Sequence, residues 1–290
     1  MPELPEVETV RRGLAPAMEG RRIEALVLKR ADLRFPFPED FRARVEGRTV
    51  LSLGRRAKYL LAAIEGGETI IMHMGMSGSF RIEGFAAPGA FHHPRGKDAA
   101  HDHVTFDLGE GRVVYNDPRR FGFMAMQRTD RLGDNAFLAR LGIEPLGPDF
   151  TPDALSRLAQ SAWTPLKAFL LDQGRIAGLG NIYVCEALHG ARLSPWAPAR
   201  VLAGTAGKPV AATKALVKAI RDTLEAAIEA GGSTLRDHRQ ANGALGYFQR
   251  RFAVYDREGQ ACPRKGCGGM VLRKTQNGRS SFYCPSCQRV

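Results

Sequence analysis

Apolar residues recur at helical spacing at the start of the chain. Val7, Val10 and Leu14 share one face, Pro5 suits a first turn and Gly20 lies just past the end. Glu6 falls at the edge of that stripe, and a helix reaching further back would bring Glu3 into it. From residue 23 the pattern changes to short apolar runs at 23–28, 49–53, 59–64, 69–74, 104–108, 112–115 and 121–126, separated by turn residues. Runs of this length and spacing predict a β-sandwich or barrel. A polar stretch containing Gly and Pro at 84–102 reads as a long surface loop.

The second half returns to a helical period. Helices are predicted at 152–160, 165–172, 182–189 (closed by Gly190) and 210–230. The last carries Leu216, Val217, Ile220, Leu224 and Ile228 on one face, and Gly231 and Gly232 end it. A loop at 233–247 then leads into a cysteine-rich tail. The expected organisation is an α+β multi-domain chain: an N-terminal β-sandwich with flanking helices at 1–131, a linker at 132–150, a helical domain at 151–250 and a cysteine-bearing β-hairpin at 251–290. No internal repeat or low-complexity tract breaks this order.

With 290 residues, 44% of them hydrophobic, the chain is long enough for two domains around well-buried cores. No run of eighteen apolar residues occurs, and charges crowd the first dozen positions, so a membrane span and a secretory signal are not expected. The expected location is the cytoplasm. A net charge of +12 points to a polyanionic partner, since Lys and Arg gain affinity by releasing counterions from phosphates. The basic residues are scattered and not gathered on one amphipathic segment, which favours nucleic acid over a membrane surface.

Four of the five cysteines lie in the tail. Cys262 and Cys267 are separated by four residues, and Cys284 and Cys287 by two. Two thiolate pairs on tight turns are what a tetrahedral structural zinc requires, so one structural Zn2+ is expected, with no open position for substrate. Asn277-Gly278 is a hairpin dipeptide and sets Arg279 near a hairpin tip. From there Arg279 meets either a phosphate or only solvent. Cys185 falls within an apolar helical face and reads as a core residue.

Residues 174–181 (GRIAGLGN) join two predicted helices through glycines that free backbone amides near the next helix start. That turn suits a phosphate or an ordinary helical hairpin, with Asn181 as the helix cap. Lys58 follows Arg55 and Arg56 at an expected strand start. Turns at 74–79 and 117–122 carry Met76 and Phe121 beside Arg119 and Arg120; such side chains fill a gap in a base stack or pack a core. His92, His93, His101 and His103 lack enough neighbouring acids for a metal site and suit phosphate contact or solvation. At the terminus, removal of Met1 would leave Pro2 as a secondary amine. An α-amino group titrates near ~8, and such an amine attacking a sugar carbon gives an iminium directly.

Taken together, PELPEVETVRRGL, RRAKYLL, HMGMSGS, DPRRFG, GLGNIY and the tetracysteine tail resemble the formamidopyrimidine-DNA glycosylase family over essentially the whole chain. The resemblance implies a β-sandwich domain and a helix-two-turn-helix domain bearing a zinc ribbon, with damaged double-stranded DNA in the cleft between them. It implies a monomeric, bifunctional enzyme that excises 8-oxoguanine and formamidopyrimidines and then cleaves the abasic site by β,δ-elimination. By motif position, Pro2 is the nucleophile, Glu3 a proton donor, Lys58 the proton donor in β-elimination, and Arg279 its counterpart in δ-elimination and a phosphate clamp. His101, Lys167 and Asn181 resemble backbone contacts, while Met76, Arg119 and Phe121 resemble the residues that fill the void left by the flipped nucleotide. Cys262, Cys267, Cys284 and Cys287 are the implied zinc ligands. The four-residue spacing of the first pair departs from the family's usual two, leaving that knuckle's geometry open. The alternatives are the endonuclease VIII type, against which Leu4 and DPRRFG argue, and a non-catalytic zinc-ribbon DNA-binding protein.

Overall fold

Residues 2–85, 98–233 and 246–289 are described in this computed structural model. The chain divides into two compact units: Met1–Ala139 with Ile228–Gln249, and Arg140–Ala227 with Arg250–Val290.

In the first unit, helix α1 (Leu4–Met18) is followed by β1 (Ala25–Leu28), the short α2 (Phe41–Val45), β2 (Val50–Arg56), β3 (Tyr59–Ile64), β4 (Glu68–His73), β5 (Ser79–Glu83), β6 (Asp102–Asp107), β7 (Arg112–Asn116) and β8 (Phe123–Arg128). The strands form two antiparallel four-stranded sheets, ordered β1-β6-β7-β5 and β2-β3-β4-β8. One core is shared by Phe106, Val113 and Tyr115 of the first sheet, Leu60, Ile70 and Met72 of the second, and Val10 and Leu14 of α1. This is the expected β-sandwich. Alternate residues of β3 are buried, as a strand with one face on a core requires.

Two elements escaped the sequence pattern. β5 offers only Phe80 and Ile82 as apolar residues, and its Arg81 forms a two-pronged pair with Asp102 at 3.0 and 2.8 Å. α2 is too short for its period to register. Of the expected loop at 84–102, residues 86–97, including His92 and His93, lie outside the described residues; Ala99–His101 form a 3-10 turn and Asp102 opens β6.

At the end of β4, His73 belongs to an aromatic cluster. Its ring centroid lies 5.0 Å from Tyr59 and 5.3 Å from Phe123, and Phe137 stacks beyond at 4.4 Å from Phe123. Its Nδ1 accepts from the Gly75 amide at 3.1 Å, which fixes the neutral ring with its proton on Nε2. Burial first, then the charges of Lys58 and Arg34, push the imidazole down to about 4.

The second unit holds α3 (Pro152–Ala159), α4 (Leu166–Leu171), α5 (Asn181–Gly190), α6 (Ala211–Glu229) as far as Ala227, and the hairpin β9 (Leu272–Gln276) and β10 (Arg279–Tyr283). Thr151 caps α3 by accepting from Ala154 N at 3.1 Å, with Pro152 at the first helical position. α5 is buried from Ile182 to His189, so apolar residues occupy every side of it. On it, Cys185 packs with Val254, Val271 and Phe282, as expected of a core residue. Glu186 stays among them because the amides of Ala253, Val254 and Tyr255 donate to it at 2.8, 3.0 and 2.8 Å. Burial nevertheless raises its pKa. Asn277 and Gly278, at φ 50° and 72°, make the two-residue turn in which both centres are left-handed.

The sign of the pH response follows from His73. The unfolded imidazole binds a proton near 6.5 and the folded one near 4, so between these values the unfolded state carries the extra proton. The stability supplied by the neutral ring is complete above pH 6.5 and is lost as pH falls toward 4. Urea midpoints should therefore fall from pH 7.5 to 4.5. They should fall less steeply for His73→Asn, whose Oδ1 still accepts from Gly75; equal slopes would exclude His73 as the source.

Candidate functional site

The N-terminal residues rest on buried carboxylates of α1. Pro2 is buried, and Glu3 is the residue preceding the first turn of α1, so the helix begins after Glu3. Glu6 is also buried. Its Oε2 accepts from Glu3 N at 2.9 Å, and its Oε1 accepts from the amide and hydroxyl of Ser233 at 2.9 and 2.8 Å. Ser233 bridges to Tyr247 across residues 234–245, which lie outside the described residues. Glu6, which had no definite task in the sequence reading, thus ties the first residues of the chain to the base of that segment.

Two residues further on, Glu8 accepts from Arg11 at 2.8 Å, Arg12 at 2.9 Å and Arg55 at 3.3 Å. Burial pushes its carboxyl up, but the hydrogen bonds from Arg11 and Arg12 and the nearby charges of Arg11 and Arg55 outweigh that and hold it at about 2. Arg55 Nη1 in turn donates to Ala57 O at 3.0 Å. Lys58 therefore stands in the β2–β3 turn and not, as expected, at a strand start, because Arg55 and Arg56 finish β2. Ala57 takes the left-handed φ of 52°, a conformation that costs an Ala on the order of 1 kcal/mol. Lys58 is only 7% exposed, unusual for a lysine that serves solubility.

The two turns carrying apolar tips meet at Asp117. Its carboxylate accepts from Ser77 Oγ, Tyr115 OH at 3.2 Å, Arg119 N at 3.3 Å and Gly122 N at 2.8 Å. Burial, with the Asp117 charge beside it, pushes the Tyr115 phenol well above its ordinary value, so it remains a donor. Close approach demands glycine. A Cβ on Gly75 would lie 2.3 Å from the Phe121 carbonyl carbon, and one on Gly122 would lie 1.8 Å from the Tyr115 hydroxyl. With their backbones locked, Met76 and Phe121 remain 44% and 41% exposed, so neither is a core residue. The Arg119 guanidinium lies 4.6 Å over the Phe121 ring.

His101 is partly exposed, and its carbonyl accepts from Asp117 N at 3.0 Å. His103 is buried with Nε2 2.9 Å from Asp117 O, which corrects the expectation of a solvated or phosphate-facing ring. The sequence flagged DPRRFG, but nothing in it marks Asp117 as the common anchor or His73 as a packed neutral ring.

In the second unit, three expected residues converge on the hairpin. Lys167, 1% exposed, donates from Nζ to Ser280 O at 2.9 Å and to Ser281 Oγ at 2.7 Å. Burial lowers its pKa, and the Arg279 charge acts in the same direction. Asn181 Nδ2 donates to the same Ser280 carbonyl at 2.9 Å. Gly180, not Asn181, precedes the first turn of α5, so Asn181 braces the hairpin instead of capping the helix. Its Oδ1 is buried without a hydrogen-bond partner among the described residues. Exposed Arg279, Lys167, Asp172, Gln276 and Asn277 help to line a cavity of about 230 Å³.

The four tail cysteines bring their Sγ atoms within 4.8 Å of one another. Cys262–Cys287 and Cys267–Cys284 are separated by 3.9 and 3.6 Å. Tetrahedral zinc with Zn–S bonds of about 2.3 Å needs sulfurs about 3.8 Å apart, so the set fits one zinc ion. Burial and the adjoining sulfurs push the Cys287 thiol up to about 12, a cost that a coordinated cation removes.

Comparisons with known proteins agree over the full length. The formamidopyrimidine-DNA glycosylase N-terminal domain matches residues 1–124, the formamidopyrimidine-DNA glycosylase H2TH domain residues 141–239, and the zinc finger found in FPG and IleRS residues 259–290. Formamidopyrimidine-DNA glycosylase of Rhodopseudomonas palustris (strain BisA53) is 58% identical over 293 residues, and that of Beijerinckia indica 59%, each covering both chains completely. Among solved structures, the MutM (Fpg) protein of Thermus thermophilus is 40% identical with a TM-score of 0.82, covering 99% of this chain and 98% of its own. The Lactococcus lactis Fpg in complex with DNA containing an abasic site is 30% identical with a TM-score of 0.84 over all of both chains. With three family domains in order, a β-sandwich, a helical domain and a four-cysteine zinc site, this chain belongs to the formamidopyrimidine-DNA glycosylase family of DNA-repair glycosylases and lyases.

Proposed function

We propose that the chain binds damaged duplex DNA and performs the family reaction through Pro2, Glu3, Lys58 and Arg279. The observation that carries this reading is the bracing of the N-terminus: Glu6 holds Glu3, and Glu8 holds Arg55 beside the Lys58 turn. A nucleophile must be held to a fraction of an ångström, and buried hydrogen-bonded carboxylates supply that rigidity.

Loss of Met1 frees the Pro2 nitrogen, which adds to the deoxyribose C1′ as the bond from C1′ to the damaged base breaks. Glu3 handles the accompanying proton. Ring opening, assisted by Lys58 as proton donor, leaves an iminium at C1′ that draws electrons from C2′ and makes its protons acidic. Loss of one with departure of the 3′ phosphate is β-elimination, and Arg279 assists the second elimination and holds a phosphate. The base leaves the stack at a cost of a few kcal/mol, which Met76, Phe121 and Arg119 offset by filling the space. His101, Lys167 and Asn181 complete the proposed set for the DNA backbone, and +12 of net charge favours the encounter. The zinc braces the hairpin that bears Arg279 and takes no part in the chemistry, because four thiolates fill its coordination.

Borohydride added to the protein with an 8-oxoguanine duplex should give a covalent adduct whose mass matches the protein without Met1. Folded, DNA-binding protein that yields no adduct would sink the proposal.

Asp117→Ala removes an acceptor from two amides and two hydroxyls and should cost about 2–4 kcal/mol of stability. Hydrogen exchange at Arg119 and Gly122 should accelerate and damaged-duplex affinity should drop; unaltered exchange at both amides would remove Asp117 as their anchor.

For Arg279→Ala, the expectation is a loss of δ-elimination product with β-elimination retained, and a shallower salt dependence of binding by about one unit of slope. An unchanged product ratio would count against its assignment.

A further inference from the structure

The four residues between Cys262 and Cys267 include Arg264, whose carbonyl accepts from Cys267 N at 3.0 Å and closes the knuckle. Its guanidinium reaches out of the knuckle to the end of α5, where Nη2 donates to His189 O at 2.6 Å and Gly190 O at 3.3 Å. A cation on the last carbonyls of a helix satisfies acceptors the helix leaves open and complements its dipole. The side chain of the same His189 turns back to the metal site, with its Nε2 3.3 Å from Cys262 Sγ. A zinc thiolate only accepts, so Nε2 carries the proton in this contact.

The second knuckle seats on the same stretch of chain. Gln288 accepts from Cys284 N at 2.7 Å and donates to Leu193 O at 3.0 Å, and Arg289 N donates to Arg192 O at 3.1 Å. The opposite end of α5 carries Asn181, bonded to Ser280 beside Arg279. One ten-residue helix, about 15 Å long, thus joins the zinc end of the ribbon to its tip.

We propose that His189 and Arg264 form a clasp that fixes the zinc ligand Cys262 to α5, His189 by donating Nε2–H to the thiolate and Arg264 by gripping the carbonyls of His189 and Gly190. Both are positioning residues. The donated hydrogen bond stabilises the thiolate, the form that holds the metal, and the grip on the carbonyls keeps the ring in register with Cys262. The proposal concerns the metal's hold and stands independently of the roles assigned to Pro2 or Arg279.

The test uses the full-length zinc protein and needs no DNA. Transfer of zinc to a chelating dye should be about tenfold faster or more in His189→Leu, and within roughly threefold of the parent in His189→Gln, which keeps an N–H donor at similar reach. With cobalt in place of zinc, the sulfur-to-cobalt charge-transfer band should shift in His189→Leu and return toward the parent position in His189→Gln. Arg264→Ala should also accelerate zinc loss. Parent-like release and superimposable bands in His189→Leu would overturn the proposal, as would a His189→Gln protein as impaired as His189→Leu. If His189→Leu gives no folded protein, His189→Gln and Arg264→Ala decide: retention by the first with faster loss from the second supports the clasp, and any other combination overturns it.

Discussion

A carboxylate with no exposed surface persists only where donors surround it, and at Asp117 every donor comes from a part of the chain with a separate job. Ser77 belongs to the turn that carries Met76, Arg119 and Gly122 flank Phe121, and Tyr115 ends a core strand. Removing the carboxylate would take an acceptor from all four donors at once. The two turns are therefore not independent loops but one object. The requirement extends to the glycines, since Gly75 and Gly122 let backbones approach more closely than any Cβ allows. The result is exposed side chains on tethered turns: Met76 and Phe121 stand in solvent, where apolar side chains gain nothing for folding, beside residues anchored to Asp117.

The same device recurs along α1 and α5. Glu6 and Glu8 are buried on α1, and Glu186 on α5, and each accepts from at least one donor far from it in sequence. Carboxylates of this kind are poor sources of net stability, because desolvation consumes much of what the hydrogen bonds return. They are effective at fixing geometry, since a displaced partner leaves a buried charge uncompensated. Their location fits that distinction: Glu6 and Glu8 adjoin the N-terminal residues and the Lys58 turn, and Glu186 holds residues 253–255, just ahead of the cysteine knuckles.

Elements whose period lies in their own residues were legible in the sequence, and those defined by partners were not. β3 alternates cleanly, α1 and the later helices carry apolar stripes, and Asn277-Gly278 announces its turn. β5 has two apolar residues and depends on Arg81 meeting Asp102, a contact between positions 21 apart that no local window contains. The four cysteines were legible because metal spacing is a local code. Asp117, His103 and the pairing of Glu6 with Ser233 were not, because a buried polar residue and a solvated one share a one-letter name until the fold supplies partners. Asn181 erred for the same reason: its identity suits a helix cap, but Gly180 holds that position and Ser280 claims the side chain.

The second unit separates two kinds of cation that composition alone counts together. Lys167 commits two of its three donors to Ser280 and Ser281, and burial lowers its pKa, so its main physical effect is to hold the hairpin in shape. Arg279, one residue from Ser280, is exposed and carries five donors in a planar fork. In the proposed anion site a phosphate would meet a delocalised cation on a hairpin that Lys167 and Asn181 already hold. Ordering the hairpin beforehand matters because immobilising a long side chain and its loop on binding costs about 0.5–1.5 kcal/mol per side chain, and Lys167 and Asn181 have met the loop's share before any ligand arrives. The buried lysine, 1% exposed, thus acts on the exposed arginine by holding the hairpin that carries it.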